Sequence, residues 1–290
     1  MAIPVICGLS EIAAQYDGFV LDIWGVVHQG GPAYPDVIDC LAQLHALDRP
    51  AVFLSNAPRR AGQIERLLAS KGVPPALHRG VVSSGEIARL SLEARQDPAL
   101  LALGPRYFYI GADSDDDLLD GLPYRRVDDP GAADFVLAIG LDDLRPTVEN
   151  HEPVLLTAAR RRLPMLCVNP DITVVRLGAR ELCAGALAKR YAVLGGTVHY
   201  FGKPYPSAYP PALAKLGLSP GRRVLAIGDG LETDIRGARA AGLSALFVTG
   251  GIFADALGID PLIPPPSAVL DAACRDPATM PDAAIAMLRW

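Results

Sequence analysis

A predicted buried strand that ends in an acid lies early in the chain, in the segment FVLDIWGVVHQG (residues 19–30). Three apolar residues lead into Asp22, and Trp24 follows two positions later. In open α/β sheets, ligands bind in the crevice outside the carboxyl ends of the strands. This stretch therefore predicts an α/β fold in which Asp22 stands at a functional edge of a sheet.

Short apolar runs alternate with helical periodicity around this segment. Residues 35–48 begin with Pro at a helix start and place their apolar side chains on one stripe. The strand-like run AVFLSN (51–56) follows, and the next helical pattern stops at Gly72. The same style returns in RVLAIGDG (223–230). This alternation predicts βαβ units and a doubly wound, mostly parallel sheet.

The spacing of these patterns changes in the middle of the chain, where we predict a second α/β unit. Its expected strands are RYFYI (106–110), DFVLAIG (134–140) and PMLCVN (164–169). A strand near VHYFGK (198–203) marks the expected return to the first style. The prediction is a discontinuous core, residues 1–83 and 184–290, with an inserted domain over residues 84–183.

Composition narrows the class of protein. The 290 residues carry a net charge of −5 without a long basic tract, so nucleic acid is not an expected partner. No apolar run reaches the roughly 18 residues of a membrane span, and the N-terminus does not resemble a secretory signal. The five cysteines lack CxxC spacing, which is typical of reduced thiols. We therefore expect a cytoplasmic enzyme or small-molecule binder that does not associate with membranes.

Polar residues follow four of the predicted strands. In chain order they are Asp22, then Ser55 and Asn56, then Lys203, and finally Asp229 with Asp234. Because parallel strands bring their carboxyl ends to one edge, these side chains are expected to meet. Clustered carboxylates suit Mg²⁺, and a lysine with a hydroxyl suits a phosphate. The residues alone thus predict metal-assisted phosphoryl transfer.

Four motifs in this order resemble those of the haloacid dehalogenase superfamily, class IIA, the NagD-like branch with a C2-type cap. They are DIWGVV, FLSNAPR, GKPYP and GDGLETDIRGARAAG, and LCVNPDITV resembles the substrate-facing loop of the cap. The resemblance covers nearly the whole chain. It implies a Rossmann-like core with an inserted α/β cap and a Mg²⁺-dependent, phosphatase-like hydrolase acting on a small phosphorylated metabolite. Caps of this type often mediate dimers, so a homodimer stays an open alternative.

The resemblance also implies a role for each residue of the site. Asp22 would be the nucleophile that forms an aspartyl-phosphate, and Lys203 would neutralise charge beside it. The metal would be held by Asp22, the backbone carbonyl of Trp24, Asp229 and Asp234. The phosphoryl group would be held by Ser55 and Asn56, and the leaving group would face Asn169 and Asp171 of the cap.

Trp24 is a departure from the family pattern, which normally has a second Asp there as the general acid and base. An indole cannot replace that acid, because its N–H is a donor that does not titrate. Trp24 could instead fill the core below the site. His28 could supply the proton, with a plain surface residue of the flap as its competing interpretation. Two further functions therefore stay open: a catalytically impaired phosphate-ligand binding or regulatory protein, and a hydrolase of a non-phosphate bond such as carbon–halogen.

Overall fold

The computed structural model describes residues 3–142 and 144–290. Its strands are β1 (Gly18–Leu21), β2 (Ala51–Ser55), β3 (Val81–Ser83), β4 (Arg106–Ile110), β5 (Arg125–Val127), β6 (Phe135–Ala138), β7 (Met165–Cys167), β8 (Thr173–Arg176), β9 (Ala179–Leu182), β10 (Val198–Tyr200), β11 (Val224–Gly228), β12 (Ser244–Val248) and β13 (Ala283–Ile285).

The α-helices are α1 (Pro35–Ala46), α2 (Ala61–Ser70), α3 (Ser84–Ala94), α4 (Pro98–Leu101), α5 (Glu152–Arg160), α6 (Ala184–Val193), α7 (Tyr209–Leu216), α8 (Arg236–Ala240), α9 (Ile252–Leu257) and α10 (Ser267–Ala273). A π-helical turn, Leu231–Ile235, leads into α8. Across the described ranges, no helix is both long and apolar enough to cross a bilayer.

A six-stranded parallel sheet positions the first group of predicted site residues. Its order is β13-β12-β11-β1-β2-β3, so β1 lies between β11 and β2. The chain leaves β1 toward β2 and β3 on one side and later builds β11 to β13 on the other. Such a reversal of strand order opens a crevice at the carboxyl ends of the central strands. Asp22 and Asp229 directly follow the two strands that border this crevice.

The apolar character of β1 follows from burial on both faces of the sheet. Phe19 and Leu21 pack in one hydrophobic cluster, while Val20 packs in another on the opposite face. This alternation is the two-residue period of a strand, and parallel strands covered by helices have no solvent-facing side to make polar. The prediction of a doubly wound α/β fold is confirmed.

A second, five-stranded parallel sheet has the order β10-β7-β6-β4-β5, and β8 pairs with β9 as an antiparallel hairpin. The strands expected at 106–110, 134–140 and 164–169 are present here as β4, β6 and β7. The hairpin was not predicted. Its residues 173–182 begin two positions after Asp171, and the carbonyl oxygen of Val175 accepts a hydrogen bond from Trp24, just beyond the end of β1 in the six-stranded sheet.

The expected strand near 198–203 exists, but its assignment to the core is wrong. β10 pairs with β7 in the five-stranded sheet, with His199 opposite Leu166. Helix α6, which was also assigned to the core, contacts β6, β7 and β10. A three-residue strand has no pattern that reveals its partner sheet, which explains the error. The division into two domains stays a prediction, with its second boundary moved from residue 184 to beyond Tyr200.

Candidate active site

One cavity of about 840 Å³ is lined by every residue that the sequence singled out for chemistry. It lies between the carboxyl end of the six-stranded sheet and the hairpin 173–182. The predicted residues in its wall are Asp22, Trp24, His28, Ser55, Asn56, Asn169, Asp171, Lys203, Asp229 and Asp234. The strand ends therefore meet as expected, although Lys203 arrives from the five-stranded sheet, three residues after β10.

Lys203 joins two carboxylates at the centre of the site. Its Nζ donates to Oδ1 of Asp22 and to Oδ1 of Asp234, each at 2.6 Å. All three side chains are buried. Burial alone would lower the pKa of Lys203, but the nearby carboxylates outweigh that effect and raise it well above its usual range. The lysine is therefore permanently charged and partly neutralises Asp22.

Asp22, Asp229 and Asp234 form a cluster of carboxylates, with one oxygen from each lying within 4.8 Å of the others. Burial, reinforced by Asp234, raises the pKa of Asp22 to about 7. Burial together with Asp22 and Asp234 also raises the pKa of Asp229 well above its ordinary value. When all three are ionised, these buried carboxylates facing one ammonium leave excess negative charge, and their oxygens are the donors that Mg²⁺ prefers. The residues present thus fit a magnesium ion.

The position of Asp229 depends on backbone that sequence inspection did not single out. The N–H of Ile252, at the start of α9, donates to Oδ2 of Asp229 at 2.8 Å. A Cβ atom on either Gly25 or Gly251 would overlap the same carboxylate oxygen. Both positions therefore require glycine, because the carboxylate of Asp229 lies too close to the backbone for a side chain. A Gly-Gly pair before a helix (250–251) is the signal in the sequence that could have indicated this contact.

Asn56 forms hydrogen bonds that position both Lys203 and Asp171. Its Oδ1 accepts from the backbone N–H of Lys203 at 2.7 Å, and its Nδ2 donates to the carbonyl oxygen of Lys203 at 3.0 Å. Nδ2 also lies 2.9 Å from Oδ1 of Asp171. The side chain of Asn56 is thus engaged with protein partners, so phosphate binding by this residue, which stays a prediction, would use its backbone.

The remaining predicted phosphate and leaving-group residues stand around that contact. Ser55 is buried, and its Oγ accepts from the N–H of Ala57 at 3.2 Å. Asn169 Oδ1 accepts from the N–H of Asp171 at 3.1 Å, which fixes the turn of the Asn-Pro-Asp loop. Burial raises the pKa of Asp171 to about 6, against the opposing charge of Lys203. Their roles toward a ligand stay predictions.

Trp24 is committed to the hairpin. Its indole Nε1–H donates to the carbonyl oxygen of Val175 at 2.8 Å, and the guanidinium of Arg176 lies 4.8 Å from its ring centroid. The N–H of Leu177 also donates to the carbonyl oxygen of Gln29 at 3.0 Å. Trp24 therefore fastens the hairpin above Asp22. Sequence inspection missed this function, because a half-buried tryptophan gives no indication of a partner 151 residues away.

His28 is buried, with 1% of its surface exposed, so its interpretation as a surface residue of the flap is wrong. Its ring packs edge-on with Trp24 at a centroid distance of 5.0 Å. Its Nδ1 accepts from the N–H of Gly30 at 3.0 Å. Burial, with smaller contributions from Lys71 and Arg176, lowers the pKa of His28 to about 4. The imidazole is therefore neutral near pH 7 and supports the tryptophan ring.

Comparison with known proteins identifies the family of this chain. A family model described as haloacid dehalogenase-like hydrolase matches residues 19–124, and one described as HAD-hydrolase-like matches residues 200–273. A crystal structure of a haloacid dehalogenase-like hydrolase from Brucella suis is 32% identical with a TM-score of 0.82. It is matched over 98% of this chain and 100% of its own. The chain belongs to the haloacid dehalogenase-like family.

Further matches carry the name of an activity. A D-glycerol 3-phosphate phosphatase of Mycobacterium tuberculosis is 28% identical over 250 residues, 84% of this chain but 66% of that protein. A crystal structure of glycerol phosphate phosphatase from the same organism in complex with magnesium has a TM-score of 0.68 at 24% identity. It is covered over 75% of its length and 94% of this chain. The chain thus spans just under two thirds of the curated relative.

Proposed function

We propose that this protein is a Mg²⁺-dependent phosphatase that hydrolyses a small phosphorylated metabolite through a phosphoryl group carried on Asp22. The observation that carries the proposal is the buried contact of Lys203 with Asp22 and Asp234, beside Asp229. A carboxylate held by an ammonium and flanked by metal-binding oxygens is arranged to attack an electrophilic phosphorus. The relative named as a D-glycerol 3-phosphate phosphatase supports the same reaction class.

The chemistry assigns a separate task to each side chain. Lys203 holds one oxygen of Asp22, and the other oxygen would attack phosphorus as the bond to the leaving oxygen breaks. Water then attacks the phosphoryl group on Asp22, releasing phosphate and restoring the carboxylate. Lys203 neutralises charge in both steps, and the contact with Asn56 fixes its backbone.

Magnesium would be held by the oxygens of Asp22, Asp229 and Asp234, together with the proposed carbonyl of Trp24. When bound, it would neutralise the charge of the phosphoryl oxygens. The N–H of Ile252 orients Asp229 toward that position, and such orientation of ligands is a common requirement of metal sites. Four of the five cysteines are buried free thiols, which supports a reducing compartment, and we propose the cytoplasm.

Trp24 favours one alternative of a different class. Because its N–H is bound to Val175, it has no proton to exchange with a substrate. A protein with this site but without turnover would bind a phosphorylated ligand in a Mg²⁺-dependent way. The carbon–halogen alternative lacks such support, since a buried carboxylate triad suits a cation that dehalogenation does not require.

Phosphate release from a panel of phosphate monoesters, with and without Mg²⁺, separates these functions. We expect Mg²⁺-dependent release that is abolished in Asp22→Asn and retained in Asp36→Asn, a matched change of an exposed carboxylate. Mg²⁺-dependent ligand binding without release, in both the wild type and Asp22→Asn, would establish the binding protein. Release that survives Asp22→Asn would remove the proposed nucleophile.

A further inference from the structure

Asp171 is a carboxyl group of the cavity wall that the metal cluster does not use. Its backbone is fixed on both sides: the N–H donates to Oδ1 of Asn169 at 3.1 Å, and the carbonyl oxygen accepts from the N–H of Gly185 at 3.1 Å. A Cβ atom on Gly185 would overlap that carbonyl oxygen, so the loop lies directly on the first turn of α6. The side chain of Asp171 is therefore held at a defined place in the wall.

The contact with Asn56 occupies one oxygen of this carboxyl group. Nδ2 of Asn56 donates to Oδ1 of Asp171 at 2.9 Å. Among the residues that the structure describes, no side chain or backbone group forms a hydrogen bond with Oδ2. A protonated carboxyl group is a donor through one oxygen while the other continues to accept. Oδ1 thus anchors the group to Asn56, and Oδ2 is available to transfer a proton.

The other carboxyl groups of the wall are committed to the metal cluster or to cations. Asp22 and Asp234 both contact Lys203, and Asp229 lies in the same cluster. Three more acids of the wall lie in ion pairs, Asp115 with Arg59, Glu181 with Arg176, and Glu232 with Arg236. A cation in contact favours the charged form of a carboxyl group. Outside the cluster, Asp171 is the one acid in the described part of the wall without such a contact.

The electrostatic surroundings of Asp171 suit a group that both gives and takes a proton. Burial raises its pKa to about 6; the charge of Lys203 and the accepted hydrogen bond oppose this effect, and Asp234 adds to it. The thiols of Cys167 and Cys183 also lie nearby. Burial raises the pKa of Cys167 to about 12 and that of Cys183 well above its ordinary value, so both are neutral. A general acid is most effective when its pKa lies near the working pH.

The place of Asp171 in the fold matches the geometry of phosphoryl transfer. The attacking and leaving oxygens lie roughly in line, on opposite sides of phosphorus. Asp22 follows β1 of the six-stranded sheet, whereas Asp171 lies in the loop after β7 of the five-stranded sheet, and both line the same cavity. The water that later attacks Asp22-bound phosphorus enters where the leaving group departed. One acid on that side can therefore serve both steps.

We propose that Asp171 is the general acid and base of this site, in place of the carboxyl group that Trp24 lacks. The inference rests on the proposed phosphatase function. As an oxygen of Asp22 attacks phosphorus, the bond from phosphorus to the leaving oxygen breaks, and the proton on Oδ2 of Asp171 moves to that oxygen. The leaving group departs as an alcohol. Asp171, now ionised, takes a proton from water as the water oxygen attacks phosphorus, the bond to Asp22 breaks, and phosphate leaves.

Phosphate esters whose leaving groups differ in basicity test this role. Phenyl phosphate and cyclohexyl phosphate serve as probes, because their leaving groups are similar in size but only the alkoxide needs an acid. With Mg²⁺ present, we expect the wild type to hydrolyse both with kcat/KM values within about tenfold of each other. Asp171→Asn keeps an oxygen for the contact with Asn56. It should lower kcat/KM for the cyclohexyl ester by about 10² to 10⁴-fold and that for the phenyl ester by less than about tenfold.

The time course of phenol release gives a second measurement, which a purely structural role would not produce. In Asp171→Asn, attack of Asp22 on phenyl phosphate needs no acid, but hydrolysis of the phosphoryl group on Asp22 has lost its base. We therefore expect a burst of phenol equal in amount to the enzyme, followed by slow turnover. Asp128→Asn, a matched change of an exposed carboxyl group outside the cavity wall, should behave as the wild type does with both esters.

Equal losses of kcat/KM for the two esters in Asp171→Asn, without a burst, would overturn the inference while leaving the phosphatase function intact. A wild-type preference for the phenyl ester of about 10²-fold or more would overturn it as well, because no acid would then assist the leaving oxygen. That measurement needs no variant, so it decides the matter should Asp171→Asn fail to fold. Release of phosphate by the wild type from neither ester would contradict the proposed function itself.

Discussion

Lys203→Met removes the cation that holds the site together. The Nζ atom makes two buried charge-assisted contacts, at 2.6 Å to Asp22 and 2.6 Å to Asp234. Removing one partner of a buried ion pair lowers the free energy of unfolding by about 3–5 kcal/mol, because the other partner is left as a buried charge without a counterion. We therefore expect the free energy of unfolding in EDTA to fall by about 3–5 kcal/mol near pH 8, and phosphatase activity to be lost.

The loss of stability should depend on pH. The folded-state pKa of Asp22 is already raised to about 7 from 3.8 with the lysine present, and it rises further without it. Because the folded-state pKa is raised, the folded protein binds more protons than the unfolded chain. The contribution of Asp22 to the free energy of unfolding is therefore largest at low pH and is lost as the pH rises through the folded-state pKa. Near pH 6 the carboxyl group takes up a proton, and Lys203→Met should therefore be less destabilising there than near pH 8.

Urea denaturation followed by circular dichroism at the two pH values gives the required free energies. Lys189→Met, a matched change of an exposed lysine, should leave stability within about 0.5 kcal/mol of the wild type. A Lys203→Met protein within about 1 kcal/mol of the wild type near pH 8 would refute the reasoning. So would an equal loss of stability at both pH values.

Three further predictions concern the metal and the hairpin. Because the pKa values of Asp22 and Asp229 are raised, Mg²⁺ must displace protons, so calorimetry should show tighter Mg²⁺ binding near pH 8 than near pH 6; equal affinity would contradict this. Gly251→Ala should weaken Mg²⁺ binding by about tenfold or more, because the added Cβ overlaps Asp229 and loss of ligand orientation commonly lowers metal affinity by that factor. Gly31→Ala is the matched control. Its added Cβ has no atom within 4 Å, so this variant should bind Mg²⁺ as the wild type does. Trp24→Phe loses a hydrogen bond of about 1 kcal/mol to the hairpin, so hydrogen exchange in residues 173–182 should become about fivefold faster; unchanged exchange would rule out the anchoring role.

The sequence predicted the part of the site that strand ends build. Asp22 and Asp229 each follow an apolar run, and adjacent parallel strands bring such positions to one edge of the sheet. Lys203 was also placed in the site, although through a strand of the other sheet. The four ordered motifs were sufficient to predict these positions, because each motif lies at a junction between regular elements, where the backbone geometry leaves little freedom.

The contacts that cover the site could not be predicted in the same way. Trp24 contacts Val175 of a hairpin whose two four-residue strands have no strong alternation of apolar and polar residues. His28 has the sequence pattern of a loop residue, and only its packing against the tryptophan ring shows that it is buried. Asn56 likewise could not be recognised as a partner of Asp171. The contacts of Trp24 and Asn56 join residues more than 100 positions apart along the chain, and the burial of His28 depends on one of them. Local sequence patterns do not predict such contacts.

The central claim is that Asp22 carries the phosphoryl group during turnover. Acid quenching of the Mg²⁺-bound protein during turnover of a radiolabelled phosphate ester, followed by peptide mapping, tests it most directly. The account predicts label on the peptide that contains Asp22, formed within a single turnover and absent in Asp22→Asn. Turnover by the wild type without label on that peptide, or turnover that persists in Asp22→Asn, would contradict it.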